Sequence, residues 1–293
     1  MRTDLLTYAL VTPVKDEAAN LTRLAASIER QTVSPCAWVI VDTGSTDGTL
    51  ELLEGLALRL PFVRTLAVAG PVVPTRGGPI VRAFVAGIEA LEVTPDILIK
   101  QDADTSFEPD YFERVLAAFA ADPNLGLASG IGLEPSDGEW RPVFGTRSYV
   151  AGMSRAYRWR CLQDVLPLEE RRGWDEIDAI KAQILGWRVG ILADIPFRHY
   201  RRDGMRDGSR SKRWARMGGE AHYMGYRFSY LLVRAFWRAR EDPLALAMIP
   251  GYMRAVARRE SRCPDAAVRA HLRSEQSVRR LPLRLRESLG RVV

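Results

Sequence analysis

The sequence predicts an α/β protein with a mostly parallel sheet and helices on both faces, followed by a basic helical C-terminal extension. Short apolar segments alternate with helical patterns through the first 125 residues, which is typical of a parallel sheet. Charge predicts the extension, because residues 1–200 hold 20 Lys and Arg against 27 Asp and Glu, whereas residues 201–293 hold 22 against 9. We therefore expect two domains, 1–200 and 201–293.

Hydrophobic periodicity predicts the first elements in order. Continuous apolar runs indicate buried strands, and apolar residues recurring every three or four positions indicate helices. Strands are predicted over 8–14, 37–41, 62–68 and 97–99, and helices over 17–30, up to Leu60, over 79–91 and from Tyr111 to Phe119. Ligands bind beyond the carboxyl ends of parallel strands, so the loops carrying Pro13, Asp42 and Asp102 predict a site at one edge of the sheet.

The later elements are less regular. Residues 126–135 are a strand candidate, whereas residues 144–162 show no clean periodicity. Apolar residues on one face predict a helix that Gly186 ends, and a strand follows over 189–195, ending near His199. The change in composition near Tyr200 predicts the domain boundary.

Composition excludes several classes of protein. No run of 18 apolar residues predicts a spanning helix, and the N-terminal apolar run is interpreted as a strand rather than a signal peptide. Three cysteines without CxxC spacing favour a reducing compartment, so we expect a cytoplasmic protein. A nucleic-acid partner is not predicted, because no helix-turn-helix, zinc-finger or RNA-recognition signature accompanies the charge.

The tripeptide Asp102-Ala103-Asp104 follows an apolar strand directly. In an extended segment the side chains at positions i and i+2 point the same way, so both carboxylates can reach one divalent cation or one ribose–phosphate group. The alternative is an acidic turn that caps the following helix.

Four motifs in order resemble glycosyltransferase family 2, whose members have the Rossmann-like GT-A fold and transfer sugars from nucleotide-sugar donors. They cover roughly residues 7–200 and consist of TPVKDE (12–17), VIVDTGSTDGT (39–49), ILIKQDADTSFEPDYFERVL (97–116) and GWDEIDAIKAQILGW (173–187). The resemblance implies that Pro13, Val14 and Glu17 lie along the nucleoside. It also implies that Asp42 accepts a hydrogen bond from the base, usually uracil, although Thr43 stands where the family commonly has a second acid. The nucleotide-binding set is completed by Arg82, Asp102 and Ala103.

A different interpretation of Asp42 is a strand-terminal Asp in an Asx-turn. The resemblance further implies that Asp102 and Asp104 hold the ribose and a Mn²⁺ or Mg²⁺ ion, with Asp104 as the direct ligand. His199 matches a position that completes the metal site in some relatives, and its alternative role is structural.

The resemblance also implies an inverting transfer with Asp175 as the catalytic base. Trp174 stands in place of the family's preceding Glu, and Asp178, one helical turn on, is the fallback base. These acids could instead simply favour the positive end of a helix.

The C-terminal extension supplies the predicted diphosphate and acceptor residues. Arg201 and Arg202 could clamp the diphosphate, and Arg210-Ser-Lys-Arg213-Trp214, followed by Gly218, resembles the family's QxxRW motif with Arg in place of Gln. The set is Arg201, Lys212, Arg213 and Trp214. Without membrane spans, a single addition is expected rather than polymerisation.

Aromatic residues interleaved with arginines in the extension predict docking on an anionic membrane surface, where a lipid-linked acceptor would be met; otherwise the acceptor is a glycan. The same residues could instead pack on the catalytic domain. The rival functions are a sugar nucleotidyltransferase and a non-catalytic nucleotide-sugar-binding scaffold.

Overall fold

The computed structural model describes residues 6–69, 77–136, 138–143, 150–201 and 209–277. The chain forms two compact units, one ending at Arg201 and the other beginning at Arg202. Several predicted features lie outside the described residues: most of the Gly/Pro-rich loop at 70–76, part of the irregular segment at 144–149, Arg202, and the last 16 residues, 278–293.

The N-terminal unit contains a nine-stranded sheet and six α-helices among its described residues. The strands are β1 (Tyr8–Val14), β2 (Ala37–Asp42), β3 (Val63–Ala67), β4 (Ile97–Gln101), β5 (Thr105–Ser106), β6 (Leu125–Ser136), β7 (Glu139–Pro142), β8 (Ser154–Arg158) and β9 (Arg188–His199). The helices are α1 (Ala18–Glu29), α2 (Thr49–Arg59), α3 (Gly78–Glu89), α4 (Tyr111–Ala121), α5 (Trp159–Val165) and α6 (Trp174–Ile184).

The strand order is β3-β2-β1-β4-β8-β6-β9-β5, with β7 paired to β6. Strands β1 to β4 are parallel, and β6 and β9 are parallel to each other. Strand β8 lies between these two groups and runs antiparallel to both β4 and β6. The predicted α/β class is confirmed, and the carboxyl ends of β1, β2 and β4 meet at one edge.

The two faces of the sheet have separate cores, as expected for a sheet covered by helices on both sides. Alternate residues of β1 enter different cores: Tyr8 and Leu10 pack with α1 and α4, whereas Ala9 and Val11 pack with α3, α5 and α6. Helix α3 lies so close to the sheet that a Cβ at Gly87 would be 2.3 Å from the Val11 side chain. Continuous apolar runs in these strands follow from burial on both faces.

Helices make up the regular structure described in the C-terminal unit, which confirms the predicted helical extension. They are α7 (Arg210–Tyr223), α8 (Phe228–Ala239), a 3₁₀ helix η1 (Pro243–Ala247), α9 (Met248–Ala257) and α10 (Ala266–Glu275). Helices α7 and α9 cross at Gly218 and Gly251, where an added Cβ would lie within 2.0 Å of a carbonyl oxygen of the opposite helix. None of the described helices combines the length and the apolar character needed to span a membrane.

Candidate active site

Asp104 and His199 are brought together by the pairing of β5 with β9. Thr105 lies opposite His199 in that pair, so the residue before Thr105 faces the imidazole. Asp104 Oδ1 is 3.5 Å from His199 Nε2, and both side chains are buried. On its other side, His199 Nδ1 lies 2.9 Å from Glu134 Oε1 on β6. The imidazole is therefore held between two carboxylates.

The charges around this imidazole determine its protonation. Burial alone would lower the pKa of His199, but hydrogen bonds to Asp104 and Glu134 outweigh burial and raise the pKa to about 9. Burial would likewise raise the pKa of Asp104, yet His199 and the charge of Arg201 hold that pKa below its ordinary value. Asp104 is therefore an ionised, buried carboxylate at neutral pH.

Arg201 links this cluster to the loop after β1. Its Nη1 and Nη2 each lie 2.8 Å from one carboxylate oxygen of Glu17, and Nη1 is 3.4 Å from Asp104 Oδ2. Glu17 is buried and Arg201 keeps 29 % of its side chain exposed, so this two-pronged pair is partly shielded from water. Glu17, Asp104, His199 and Arg201 were each predicted from the sequence, and the structure brings them together.

Asp102 is paired with a lysine that the sequence analysis missed. Lys100 Nζ donates to Asp102 Oδ1 and, over 2.9 Å, to the carbonyl oxygen of Gly152. Lys100 is buried, whereas Asp102 keeps 32 % of its side chain exposed. A Cβ added to Gly152 would be 3.0 Å from Asp175 Oδ2. Gly152 therefore contacts Lys100, the partner of Asp102, through its carbonyl oxygen and lies close to the Asp175 carboxylate.

Asp178 is enclosed and already paired, which corrects its assignment as a fallback base. It is 1 % exposed, and its carboxylate accepts hydrogen bonds from Arg155 and from the Tyr157 hydroxyl. Burial would lower the pKa of Arg155, but the Asp178 carboxylate raises it, so the guanidinium stays charged. Both carboxylate oxygens of Asp178 are thus engaged within the fold. Trp174 is buried against Phe84 and is a core residue.

The loop after β2 uses Asp42 to hold its own turn. Asp42 Oδ2 accepts a hydrogen bond from Gly44 N at 2.9 Å, and Ser45 N lies 3.2 Å from both carboxylate oxygens. These bonds describe the Asx-turn alternative, and contact with a base stays a prediction. Val14 lies opposite Asp42 in the β1–β2 pair, with Pro13 beside it, so the predicted nucleoside residues share one edge. Ala103 is buried in the core next to α4.

Arg82 is not joined to this cluster by any hydrogen bond or ion pair among residues that the structure describes. It lies half-exposed on α3 and pairs with Glu170 at 2.8 Å. In the C-terminal unit, Trp214 Nε1 donates to Asp242 Oδ2 at 2.8 Å, while Lys212 is exposed and Arg213 partly buried on α7. Roles of Lys212, Arg213 and Trp214 in binding diphosphate or acceptor stay predictions.

A divalent cation fits the pair formed by Asp104 and His199. Across the described part of the chain, no three His, Cys, Asp or Glu side chains form a ready-made cluster. Ions that act on phosphates, such as Mg²⁺, are commonly held by only one or two protein carboxylates, with substrate phosphates and water as the other ligands. A carboxylate oxygen and an imidazole nitrogen 3.5 Å apart in a buried position can share one such ion, provided that the ion displaces the proton from His199 Nε2, because a metal-binding imidazole is neutral.

Sequence reasoning missed Lys100, Glu134 and Arg155. Lys100 could have been found, because it lies two positions before Asp102, and side chains two positions apart near the end of a strand point the same way. Glu134 carries no local signal, since only the β6–β9 register, in which Leu133 lies opposite Arg198, places it beside His199. Arg155 lies in the segment without periodicity.

A family model described as glycosyl transferase family 2 matches residues 9–166, more than half of the chain. No individual curated protein sequence is significantly similar to it. Among solved structures, the fold resembles mannosyltransferase PcManGT from Pyrobaculum calidifontis in complex with GDP-Man and Mn²⁺. That likeness has a TM-score of 0.60 at 16 % identity and covers 98 % of this chain and 85 % of that one.

Two further solved structures resemble the chain. S. aureus TarS 1-349 in complex with UDP-GlcNAc gives a TM-score of 0.55 at 16 % identity, over 73 % of this chain and 65 % of that one. GalNAc-T7 with UDP, GalNAc and Mn²⁺ gives 0.59 at 14 % identity, over 85 % and 55 %. The chain thus spans less than two thirds of either protein, and at these identities the likeness concerns the fold.

Proposed function

This chain belongs to glycosyl transferase family 2 and has the expected GT-A fold, and from that premise we propose that it is an inverting, metal-dependent glycosyltransferase. It adds a single sugar from a nucleotide-sugar donor to a hydroxyl of a glycan or lipid-linked acceptor. The observation that carries the proposal is the convergence of Asp104, His199, Arg201 and Glu17. Near Asp104 in the chain, Asp102 pairs with Lys100, which bonds to Gly152, and Gly152 lies close to the Asp175 carboxylate.

Asp104 and His199 would hold the Mn²⁺ or Mg²⁺ ion. When bound, the ion would neutralise the negative charge that develops on the departing nucleoside diphosphate. Arg201 supplies a second positive charge at the same place, since its guanidinium reaches Asp104 from the Glu17 side. Mn²⁺ accompanies the nucleotide in two of the structurally similar proteins, which supports this part of the proposal.

Asp175 is the proposed base. It lies in the first turn of α6, is partly exposed, and places its Oδ2 3.0 Å from a Cβ built on Gly152. An inverting transfer needs one carboxylate to take the proton of the acceptor hydroxyl as that oxygen attacks the anomeric carbon. The proton then resides on a carboxylate oxygen of Asp175.

The donor is proposed to be a UDP-sugar held by the loops after β1, β2 and β4. Val14 and Asp42 are the last residues of β1 and β2, Asp102 directly follows β4, and TarS 1-349 binds UDP-GlcNAc on a similar fold. Because PcManGT, which has a similar fold, forms a complex with GDP-Man, the experiment must compare GDP-sugars with UDP-sugars as donors.

Three substitutions test the assignment of roles. Asp104→Ala should abolish metal-dependent UDP binding, whereas Asp175→Asn should retain UDP binding and lose transfer by roughly 10²–10⁴-fold. Glu176→Gln, an exposed neighbour on the same helical turn, is the matched control and should stay active. Calorimetry with UDP and GDP plus Mn²⁺, followed by hydrolysis of UDP-GlcNAc and GDP-Man, provides both readouts. An active Asp175→Asn variant would contradict the base assignment.

The hydrolysis assay and an assay of pyrophosphate release address the rival functions. A non-catalytic scaffold would bind a nucleotide sugar without hydrolysing it under any condition. A sugar nucleotidyltransferase would form a nucleotide sugar from a sugar phosphate and a nucleoside triphosphate, releasing pyrophosphate.

The C-terminal unit is proposed to dock on an anionic membrane surface. Phe236 on α8 is 61 % exposed and Met253 on α9 is 48 % exposed, with exposed arginines on both helices, whereas Tyr226 and Tyr252 are buried. Each Lys or Arg near an anionic bilayer contributes about 1 kcal/mol, an attraction that salt screens.

Liposome flotation tests this docking. Phe236→Ser should weaken binding to anionic vesicles, and Leu58→Ser, which changes a 91 % exposed leucine on α2, is the matched control. No binding of the wild-type protein at low salt, or equal effects of the two substitutions, would reject docking.

A further inference from the structure

Arg155 is fully buried, and each of its three guanidinium nitrogens makes directed contacts. Its Nε and Nη2 bind the two oxygens of Asp178, and Nε also lies 2.9 Å from the Tyr157 hydroxyl. Nη1 donates to the carbonyl oxygen of Val150 at 2.8 Å. Nη2 donates to the carbonyl oxygen of Asp175 at 2.7 Å. The side chain thus ties strand β8 to the first turn of α6.

Stability alone is a weak reason for such a pair. Removing two charges from water costs nearly as much as their attraction returns, so apolar residues of similar size often stabilise a fold equally well. What apolar residues cannot supply is the directed bond from Nη2 to the Asp175 carbonyl. That bond fixes the backbone of the residue whose carboxylate reaches the active site.

The Asp175 carboxylate has little room to move toward Gly152. Gly152 comes three residues before Arg155, and a Cβ there would be 3.0 Å from Asp175 Oδ2, closer than ordinary packing. The Gly152 carbonyl also accepts from Lys100, the partner of Asp102. A shift of the first turn of α6 would therefore change the distance between the base and the donor-binding carboxylate.

We propose that Arg155, held in place by Asp178 and Tyr157, is a positioning residue that fixes Asp175 for proton transfer. This rests on the proposed function, in which Asp175 is the base. In this proposal Asp178 acts on the reaction only through Arg155, the side chain that its carboxylate holds.

The double substitution Arg155→Met/Asp178→Leu tests the proposal without leaving a buried charge unpaired. The affinity for UDP with Mn²⁺ should stay close to wild type, while kcat for UDP-GlcNAc hydrolysis falls about 10–100-fold, as expected for a misplaced catalytic group. The thermal midpoint should fall, because the buried Tyr157 hydroxyl loses both of its partners. Amide hydrogen exchange in the first turn of α6 should accelerate, a readout that needs no substrate. A folded double variant with unchanged kcat and unchanged exchange overturns the proposal.

Combination with Asp175→Asn separates positioning from a general structural effect. If Arg155 acts through Asp175, the double substitution should cost nothing further in the Asp175→Asn background. An equal further loss would contradict the proposal, whereas full activity of Asp175→Asn alone would contradict the base assignment instead.

Two single substitutions test the proposal even if the double variant does not fold. Tyr157→Phe removes one hydrogen bond to Asp178 and should lower kcat with UDP affinity unchanged. Gly152→Ala should displace the Asp175 carboxylate and likewise lower kcat with UDP affinity unchanged. Wild-type kcat in both variants would overturn the proposal.

Discussion

Gly218 allows α7 and α9 to pack backbone against backbone, and Gly218→Ala should therefore destabilise the protein. An added Cβ would be 2.0 Å from the carbonyl oxygen of Met248 and 2.8 Å from Tyr252 N. Both are backbone atoms, so relief requires the helices to separate by about 1 Å, and overpacking of this kind costs about 1–3 kcal/mol. Alanine's better helix propensity returns at most about 1 kcal/mol.

Gly219 is the matched control on the same helix, because nothing lies within 4 Å of a Cβ placed there. Gly219→Ala should stabilise the protein by about 0.5–1 kcal/mol. The free energy of unfolding should therefore rise in Gly219→Ala and fall in Gly218→Ala. Urea unfolding followed by circular dichroism measures both. Equal unfolding midpoints would refute the close-packing argument, and a folded Gly218→Ala variant that loses only activity would instead assign Gly218 to the acceptor site.

Three further predictions concern single side chains. Glu134→Leu should weaken Mn²⁺ binding about 10–100-fold, because a carboxylate that orients a metal-binding imidazole typically contributes that much. Electron paramagnetic resonance of free Mn²⁺ measures the affinity, and the control Glu139→Leu, on exposed β7, should leave the affinity unchanged. Burial, and after it the charge of Arg262, lower the pKa of His222 in the folded protein. The unfolded chain therefore binds a proton more readily, and stability should be lost as the pH falls below about 6.5, the pKa of an unperturbed histidine. His222→Phe should remove this loss in thermal melts between pH 7 and 5. Asp42→Ala should cost about 1–2 kcal/mol of stability, measured by urea unfolding, because the Gly44 and Ser45 amides lose their acceptor, and an unchanged unfolding midpoint would contradict the turn.

Local patterns were sufficient for the elements that build the parallel half of the sheet. Strand β1 has the predicted bounds, Tyr8–Val14, and the predicted helix over 79–91 forms over Gly78–Glu89. Each of these elements is specified within its own segment, because burial on two faces demands a continuous apolar run and burial on one side demands helical spacing. For the same reason, the placement of Asp42 and Asp102 at strand ends was predictable.

Long-range pairing decided the rest of the site. Arg201 meets Glu17 across 184 positions of sequence, and Glu134 meets His199 only through the β6–β9 register. The sequence offered Asp178 as an alternative base because it lies one helical turn after Asp175. The structure turns Asp178 toward Arg155 instead, because β8 runs antiparallel beside β4 and brings a buried guanidinium under α6. Periodicity shows which face of an element is buried, whereas the partner of a buried charge depends on which strands pair and in which register.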